Sequence, residues 1–170
     1  MNPPEILGMN PPEAGDIAPE IALPDESGTV HRLSEQRDRW TVVYFYPADD
    51  TPGCTIESCQ FRDLDPQIRS VSAQVWGISP DGAASHARFR EKFDLPFTLL
   101  SDEDHETSTR YGAWRLKSMY GRESMGIQRS TFLVDPDGRV AQAWPKVKAD
   151  GHAAEVLAAI EEARAAREAG

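Results

Sequence analysis

Long apolar runs are missing from this chain. The longest, "WTVVYFYPA" (Trp40 to Ala48), is under half the length that a helix needs to cross a bilayer, so no membrane helix is expected. The opening "MNPPEILGMNPPEAGD" has neither the basic start nor the apolar middle of a secretory signal. Positive charge is also scarce. Eighteen Lys and Arg stand against 28 Asp and Glu, and a net charge of −10 repels nucleic-acid phosphates and anionic membrane surfaces, so neither is expected as a partner. Phosphate-cradling glycine loops are absent, which excludes a nucleotide. The four histidines are scattered and none shares a short motif with a cysteine, a poor basis for zinc or a Cys-His hydrolase. No cofactor or metal is expected. Cysteine itself is reduced to two residues, Cys54 and Cys59. The compartment left by these absences is the cytoplasm, where thiols are kept reduced and a cysteine pair reads as catalytic, sensing or metal-binding rather than structural.

With 170 residues, 39% of them hydrophobic, the chain suits one globular domain with a real core. Residues 1–16 contain "MNPPE" twice and four prolines, and are expected to be a disordered tail outside a single domain spanning 17–170. A small hairpin is expected around Ser27 to Thr29, with Gly28 in its turn. Trp40 to Tyr46 is apolar throughout and rich in β-branched and aromatic residues, as in a central strand buried on both faces. Thr51-Pro52 reads as a helix start, with Thr at the N-cap and Pro at the first helical position, and the helix carries Ile56, Cys59, Phe61, Leu64 and Ile68. A second strand (71–79), a second helix (81–93) and a short third helix in 101–112 follow. The acidic run "SDEDHE" reads as the solvated start of that third helix rather than a cation site. The four tryptophans read as core and pocket wall, not as a base-stacking platform. "STFLVDPDGRVAQAW" gives two strands about an Asp-Pro-Asp-Gly turn, and an Ala-rich amphipathic helix closes the chain. The pattern is α/β with a mixed central sheet.

Cys54 falls in the first turn of a helix that follows a buried strand. Active sites of open α/β sheets gather at this carboxyl end. Unpaired helix-start N–H groups and the positive end of the helix dipole favour a thiolate there, so Cys54 is a candidate nucleophile. Ionisation alone is a weak lever. An ordinary cysteine is already a few per cent thiolate at pH 7, so complete ionisation gains at most about 30-fold. Other groups must stabilise the transition state. Thr51 offers a hydroxyl, Gly53 an open backbone approach for substrate, and Pro47 removes a donor and shields the sulfur. A permanent positive charge would complete the set, and local sequence does not say which arginine supplies it.

"PADDTPGC" (Pro47 to Cys54) matches the Pro-x-x-x-Thr-x-x-Cys motif of peroxiredoxins, and "YFYPADDTPGCTIESC" resembles the peroxiredoxin Q, or bacterioferritin comigratory protein, subfamily. The resemblance continues through "GISPD", "LPFTLLSD", "MYGRESMGIQRSTFLVDPDG" and "KVKADGHAAEVL", and so covers nearly everything after the tail. It implies a thioredoxin-like fold with an N-terminal β-hairpin extension. It also implies that Cys54 is the peroxidatic cysteine, that Cys59 occupies the resolving position, and that the missing arginine is Arg129. With Pro47 and Thr51 this arginine would surround the nucleophile, and Thr51, Gly53 and Arg129 would hold a peroxide substrate. A thioredoxin or similar dithiol protein is the implied reductant and a monomer the implied state. A peroxide-sensing switch built on the same cysteine pair remains the alternative.

The spacing carries one geometric consequence. Five residues on a regular helix put the two Cα atoms about 8.6 Å apart, beyond the approximately 7 Å limit of a disulfide. If both cysteines share one helix, it must unwind over about Pro52 to Phe61 before they can join.

Overall fold

The computed structural model describes residues 10–169. In chain order the elements are β1 (Ala22–Pro24), β2 (Val30–Arg32), β3 (Trp40–Phe45), α1 (Pro52–Ser70), β4 (Ala73–Ser79), α2 (Ala83–Phe93) and β5 (Thr98–Ser101). They continue with α3 (Glu106–Arg110), β6 (Trp114–Met119), β7 (Arg122–Ile127), β8 (Ser130–Val134), β9 (Val140–Trp144) and α4 (His152–Ala169). Five strands make the central sheet in the order β5-β4-β3-β8-β9. β3, β4 and β5 run parallel, while β8 pairs antiparallel with β3 and β9 with β8, so the sheet is mixed as expected.

Every residue of β3 is buried because the strand is central and covered on both faces. Val42, Tyr44 and Tyr46 pack with Phe61 and Ile68 of α1, Phe89 of α2, and Val156 and Ile160 of α4. Val43 and Phe45 point the other way, into a second core with Ile21, Leu33, Tyr111 and Ile127. The period of two along a strand thus splits one apolar run between two cores. The expected N-terminal hairpin is β1 and β2, with Gly28 at φ +88° in the turn and Asp25 accepting the Ser27 and Thr29 amides.

Some expectations need revision. Residues 1–9 of the expected tail lie outside the described residues. Residues 10–16, also expected to be unpacked, lie along β9: the Gly15 amide donates to Val140 O, the Val140 amide donates to Asp16 O, both at 2.8 Å, and Pro12 is buried. An edge strand with unpaired backbone groups supplies that partner, which composition alone does not reveal. The β6–β7 hairpin was not anticipated, since its strands carry charged residues rather than an apolar run. Asp102 is buried rather than solvated, and its carboxylate accepts the Thr107 and Ser108 amides at the start of α3. Ile56, assigned to the apolar side of α1, is exposed. No helix among the described residues is long and apolar enough to cross a membrane.

Gly77 of β4 sits between side chains of the two neighbouring strands, β3 and β5. A methyl group there would lie 2.8 Å from both the Tyr44 ring and the Leu99 side chain. Gly77→Ala should therefore destabilise the protein by about 1–3 kcal/mol through overpacking. Urea unfolding should show a lower midpoint with an unchanged slope.

Candidate active site

The carboxyl end of β3 delivers the chain through Pro47 to Thr51 into the first turn of α1. Thr51 is the N-cap residue in extended conformation, and Pro52 occupies the first helical position. Its hydroxyl does not cap the helix. It donates to Ala48 O at 3.0 Å instead, and the Thr51 carbonyl accepts the Thr55 amide at 2.8 Å. The amides of Gly53 and Cys54 are therefore left without intrahelical acceptors, and no acidic residue in the first turn offsets the positive helix end. The Cys54 sulfur sits in this setting with its residue 1% exposed.

Arg129 reaches the sulfur from the far side of the sheet sequence, 75 residues on. The pairing of Phe45 with Ser130 fixes where β8 begins, so Arg129 stands beside the end of β3, where α1 starts. Its backbone is held there by the Val147 amide, which donates to Arg129 O at 3.0 Å. Nη2 donates to Cys54 Sγ at 3.3 Å and Nη1 to Glu57 Oε1 at 2.7 Å. One guanidinium thus links the sulfur to a fully buried carboxylate. Burial works against the Arg129 charge, but Glu57 and the Cys54 sulfur outweigh it and the arginine pKa is raised. Burial likewise pushes the Glu57 carboxyl up to about 7, against the pull of Arg129. Lys117 of β6 lies near enough to feel the site: burial first, then the Arg129 charge, lower its pKa, and Cys54 opposes them.

Gly53 has a sharper reason than substrate access. A methyl group at this position would lie 3.1 Å from Arg129 Nη2, so a side chain there would push the guanidinium a few tenths of an ångström out of place. Pro47 is half-buried at the head of the loop, and Thr51 is exposed at its end. Cys59 is half-buried more than one turn further along α1; both thiols are free, and the helix is unbroken through both. The structure therefore gathers Thr51, Gly53, Cys54 and Arg129 around one helix start and keeps Cys59 apart. Glu57 is the site residue that sequence reasoning missed. Its signal was its place three residues after Cys54, which puts both side chains on one helix face.

Known proteins share much of this sequence and its fold. Residues 14–143 match the model of the AhpC/TSA family. The chain belongs to that family. It is 43% identical over 150 residues to Peroxiredoxin Bcp of Bacillus subtilis, covering 88% of this chain and 96% of that protein. It is 42% identical to Peroxiredoxin Bcp of Escherichia coli, covering 85% and 92%. Among solved structures, Xanthomonas campestris peroxiredoxin Q superposes with a TM-score of 0.80 at 42% identity, covering 84% of this chain and 90% of that one. The peroxiredoxin resemblance and the mixed-sheet, thioredoxin-like fold read from the motifs are thus borne out.

Glu57 holds one arm of the Arg129 fork through a charge-assisted hydrogen bond. Glu57→Gln should leave the fold intact and slow peroxide oxidation of Cys54 by about 10-fold, because a neutral amide oxygen accepts a weaker hydrogen bond and aims the guanidinium less firmly. Stopped-flow tryptophan fluorescence measures that rate.

Proposed function

We propose that this protein is a thiol-dependent peroxidase that uses Cys54 as its nucleophile and Cys59 as the resolving thiol. The observation that carries this reading is the 3.3 Å contact from Arg129 Nη2 to Cys54 Sγ at an uncapped helix start. A merely packed cysteine needs no such donor. The Cys54 thiolate attacks one oxygen of the peroxide, the O–O bond breaks, and the departing oxygen takes a proton and leaves as water or an alcohol. Cys54 is left as a sulfenic acid. The Arg129 guanidinium and the free amides of the first turn stabilise the charge that moves onto the leaving oxygen. The Thr51 hydrogen is already committed to Ala48 O, so its hydroxyl serves the substrate as an acceptor, while Pro47 limits water at the sulfur. Hydrogen peroxide and organic hydroperoxides are the substrate class. A structure of the Xanthomonas campestris bacterioferritin comigratory protein, 42% identical to this chain, is described in terms of alkyl peroxide reduction activity.

Cys59 then condenses with the sulfenic acid, releasing water and forming an intramolecular disulfide. A thioredoxin-type dithiol protein returns both sulfurs to thiols. Sulfur carries all of the redox chemistry, one chain holds both cysteines, and a monomer in the reducing cytoplasm suffices. The bond cannot close on an intact α1, where the Cα atoms stand about 8.6 Å apart. The first turns must open, breaking the Tyr44–Ser58 hydrogen bond at 2.8 Å, the Glu57–Arg129 pair and the Gln60 clamp. Phe61, fully buried and stacked on Tyr44 with centroids 4.9 Å apart, marks where opening stops.

Cys54→Ser should abolish turnover of peroxide with a thioredoxin reducing system, and activity surviving with Cys59 intact would refute the assignment. Many turnovers per protein support the enzyme over the sensor, which would be oxidised once. Arg129→Ala should slow oxidation of Cys54 near pH 7 by more than the roughly 30-fold that ionisation alone can explain, and a pH high enough to ionise its thiol fully should not restore the wild-type rate.

Opening is testable separately. Gln60 Nε2 donates to Asp150 Oδ1 at 2.7 Å and its Oε1 accepts the Gly151 amide at 2.8 Å, tying α1 to the loop before α4. Two such bonds are worth about 1–2 kcal/mol together, so Gln60→Ala should speed disulfide formation by roughly 5- to 30-fold without changing the first oxidation. An unchanged disulfide rate would mean that α1 does not open through this segment.

A further inference from the structure

Midway between Pro47 and Thr51 lies Asp49, which the cysteine chemistry does not use. Its side chain is 4% exposed. Oδ1 accepts from the Tyr46 hydroxyl at 2.6 Å, and Oδ2 accepts from the Ser85 hydroxyl at 2.7 Å and from His86 Nδ1 at 2.7 Å. The Asp49 amide donates to Asp81 Oδ2 at 2.7 Å. His86, on α2, is completely buried, and its Nε2 stands 3.0 Å from Leu100 O on β5. A backbone carbonyl only accepts, and Asp49, held below its ordinary pKa, stands as a carboxylate, so both ring nitrogens face acceptors. This arrangement favours an imidazolium paired with the Asp49 carboxylate.

We propose that His86 is a positioning residue for the peroxidase reaction: its buried imidazolium pins Asp49 and so holds the Pro47-to-Thr51 loop in the shape that receives peroxide. Loss of the ring proton at alkaline pH then releases the loop and slows oxidation of Cys54. This inference rests on the peroxidase reading of Cys54. It draws on no contact of His86 with substrate or sulfur.

The groups around the His86–Asp49 pair come from four elements: Tyr46 at the end of β3 and Ser85 on α2, both on Asp49, and Asp81 after β4 and the Leu100 carbonyl of β5, both acting on the ring. Burial opposes the charged ring, yet the Asp49 hydrogen bond and charge, the Leu100 carbonyl and Asp81 outweigh it, and the His86 pKa is raised. Asp49, also opposed by burial, is held below its ordinary value chiefly by His86 and Tyr46. With the folded histidine pKa above the unfolded one, the pin is fully present below about pH 6.5 and is lost as pH rises through the raised value. Thiol reactions ordinarily speed up in that direction, because the thiolate is the nucleophile. A falling alkaline limb is therefore the distinctive signature.

The test is stopped-flow oxidation of Cys54 by hydrogen peroxide from about pH 6 to about pH 10 in the wild type, His86→Gln and Asp49→Asn. The wild-type rate constant should fall on the alkaline side. Both variants should be about 10-fold slower near pH 7, and neither should show that fall. An alkaline limb of the same shape in all three proteins overturns the proposal. Nitrogen-15 spectra of the wild type decide the matter even if a variant does not fold: both His86 ring nitrogens should be protonated near pH 7, and a ring with one bare nitrogen overturns it. A wild type whose Cys54 does not react with peroxide at all would instead sink the functional reading, while the ring spectrum would still report on the pin.

Discussion

The Arg129 fork ties the start of β8 to the first turns of α1. One nitrogen donates to Cys54 Sγ and another to Glu57 Oε1, so a guanidinium from the start of β8 spans two successive positions on one face of α1. That span requires the register of β3 against β8, since a slip of one residue would turn Arg129 to the opposite face of the sheet. It is eased by glycine at position 53, where a methyl group would lie 3.1 Å from the guanidinium. It also requires a buried carboxylate, which is costly alone and is tolerated here because the arginine pairs with it. The central sheet, the helix start and the buried pair are in this sense one arrangement with one purpose: a directed positive charge beside a sulfur.

The same helix faces two opposed demands. Its first turn must be formed for the amides and Arg129 to converge on Cys54, and in the proposed cycle it must be dismantled for Cys59 to reach the oxidised sulfur. The structure answers by grading the attachment of α1 along its length. Pro52, Ile56 and Thr51 are exposed, Gln60 is held by two polar bonds near the surface, and Phe61 and Ile68 are fully buried in the core. Polar bonds near the surface net about 1 kcal/mol each, whereas a buried aromatic ring contributes about 1.5–3 kcal/mol through burial alone. The weak end of the helix carries the chemistry, and the strong end keeps the domain folded while it opens.

The legible parts of the sequence were those governed by local rules. β3 declared itself by the run Trp40 to Tyr46, apolar but for Thr41, the start of α1 by Thr-Pro, and the β8–β9 hairpin by its Asp-Pro-Asp-Gly turn. Cys54 could be placed at a helix start from neighbours alone. Arg129 could not, because its contact with Cys54 spans 75 residues and depends on strand register; a family motif was needed to single it out. Glu57 was hidden for a different reason. An acidic residue in the second turn of a helix reads as surface, and only tertiary packing shows it completely buried. The docking of residues 10–16 on β9 was invisible because proline-rich segments gain order from an edge, not from their own propensity.

The Asp49 and His86 network completes this division of labour. Unwinding of α1 after oxidation would be expected to spread backward into the loop that precedes it, because the helix start and the loop share Thr51. Upstream of that residue the loop is anchored twice: Asp49 to α2 through Ser85 and His86, and Asp50 to α2 through Lys92 at 2.7 Å. These anchors do not touch α1, so they survive its opening. The side of the site built on the loop therefore stays in place while the side built on the helix is taken apart. In the proposed cycle α1 would then have only to re-form against that template once the disulfide is reduced, which would keep the ordering cost to the few residues between Pro52 and Gln60.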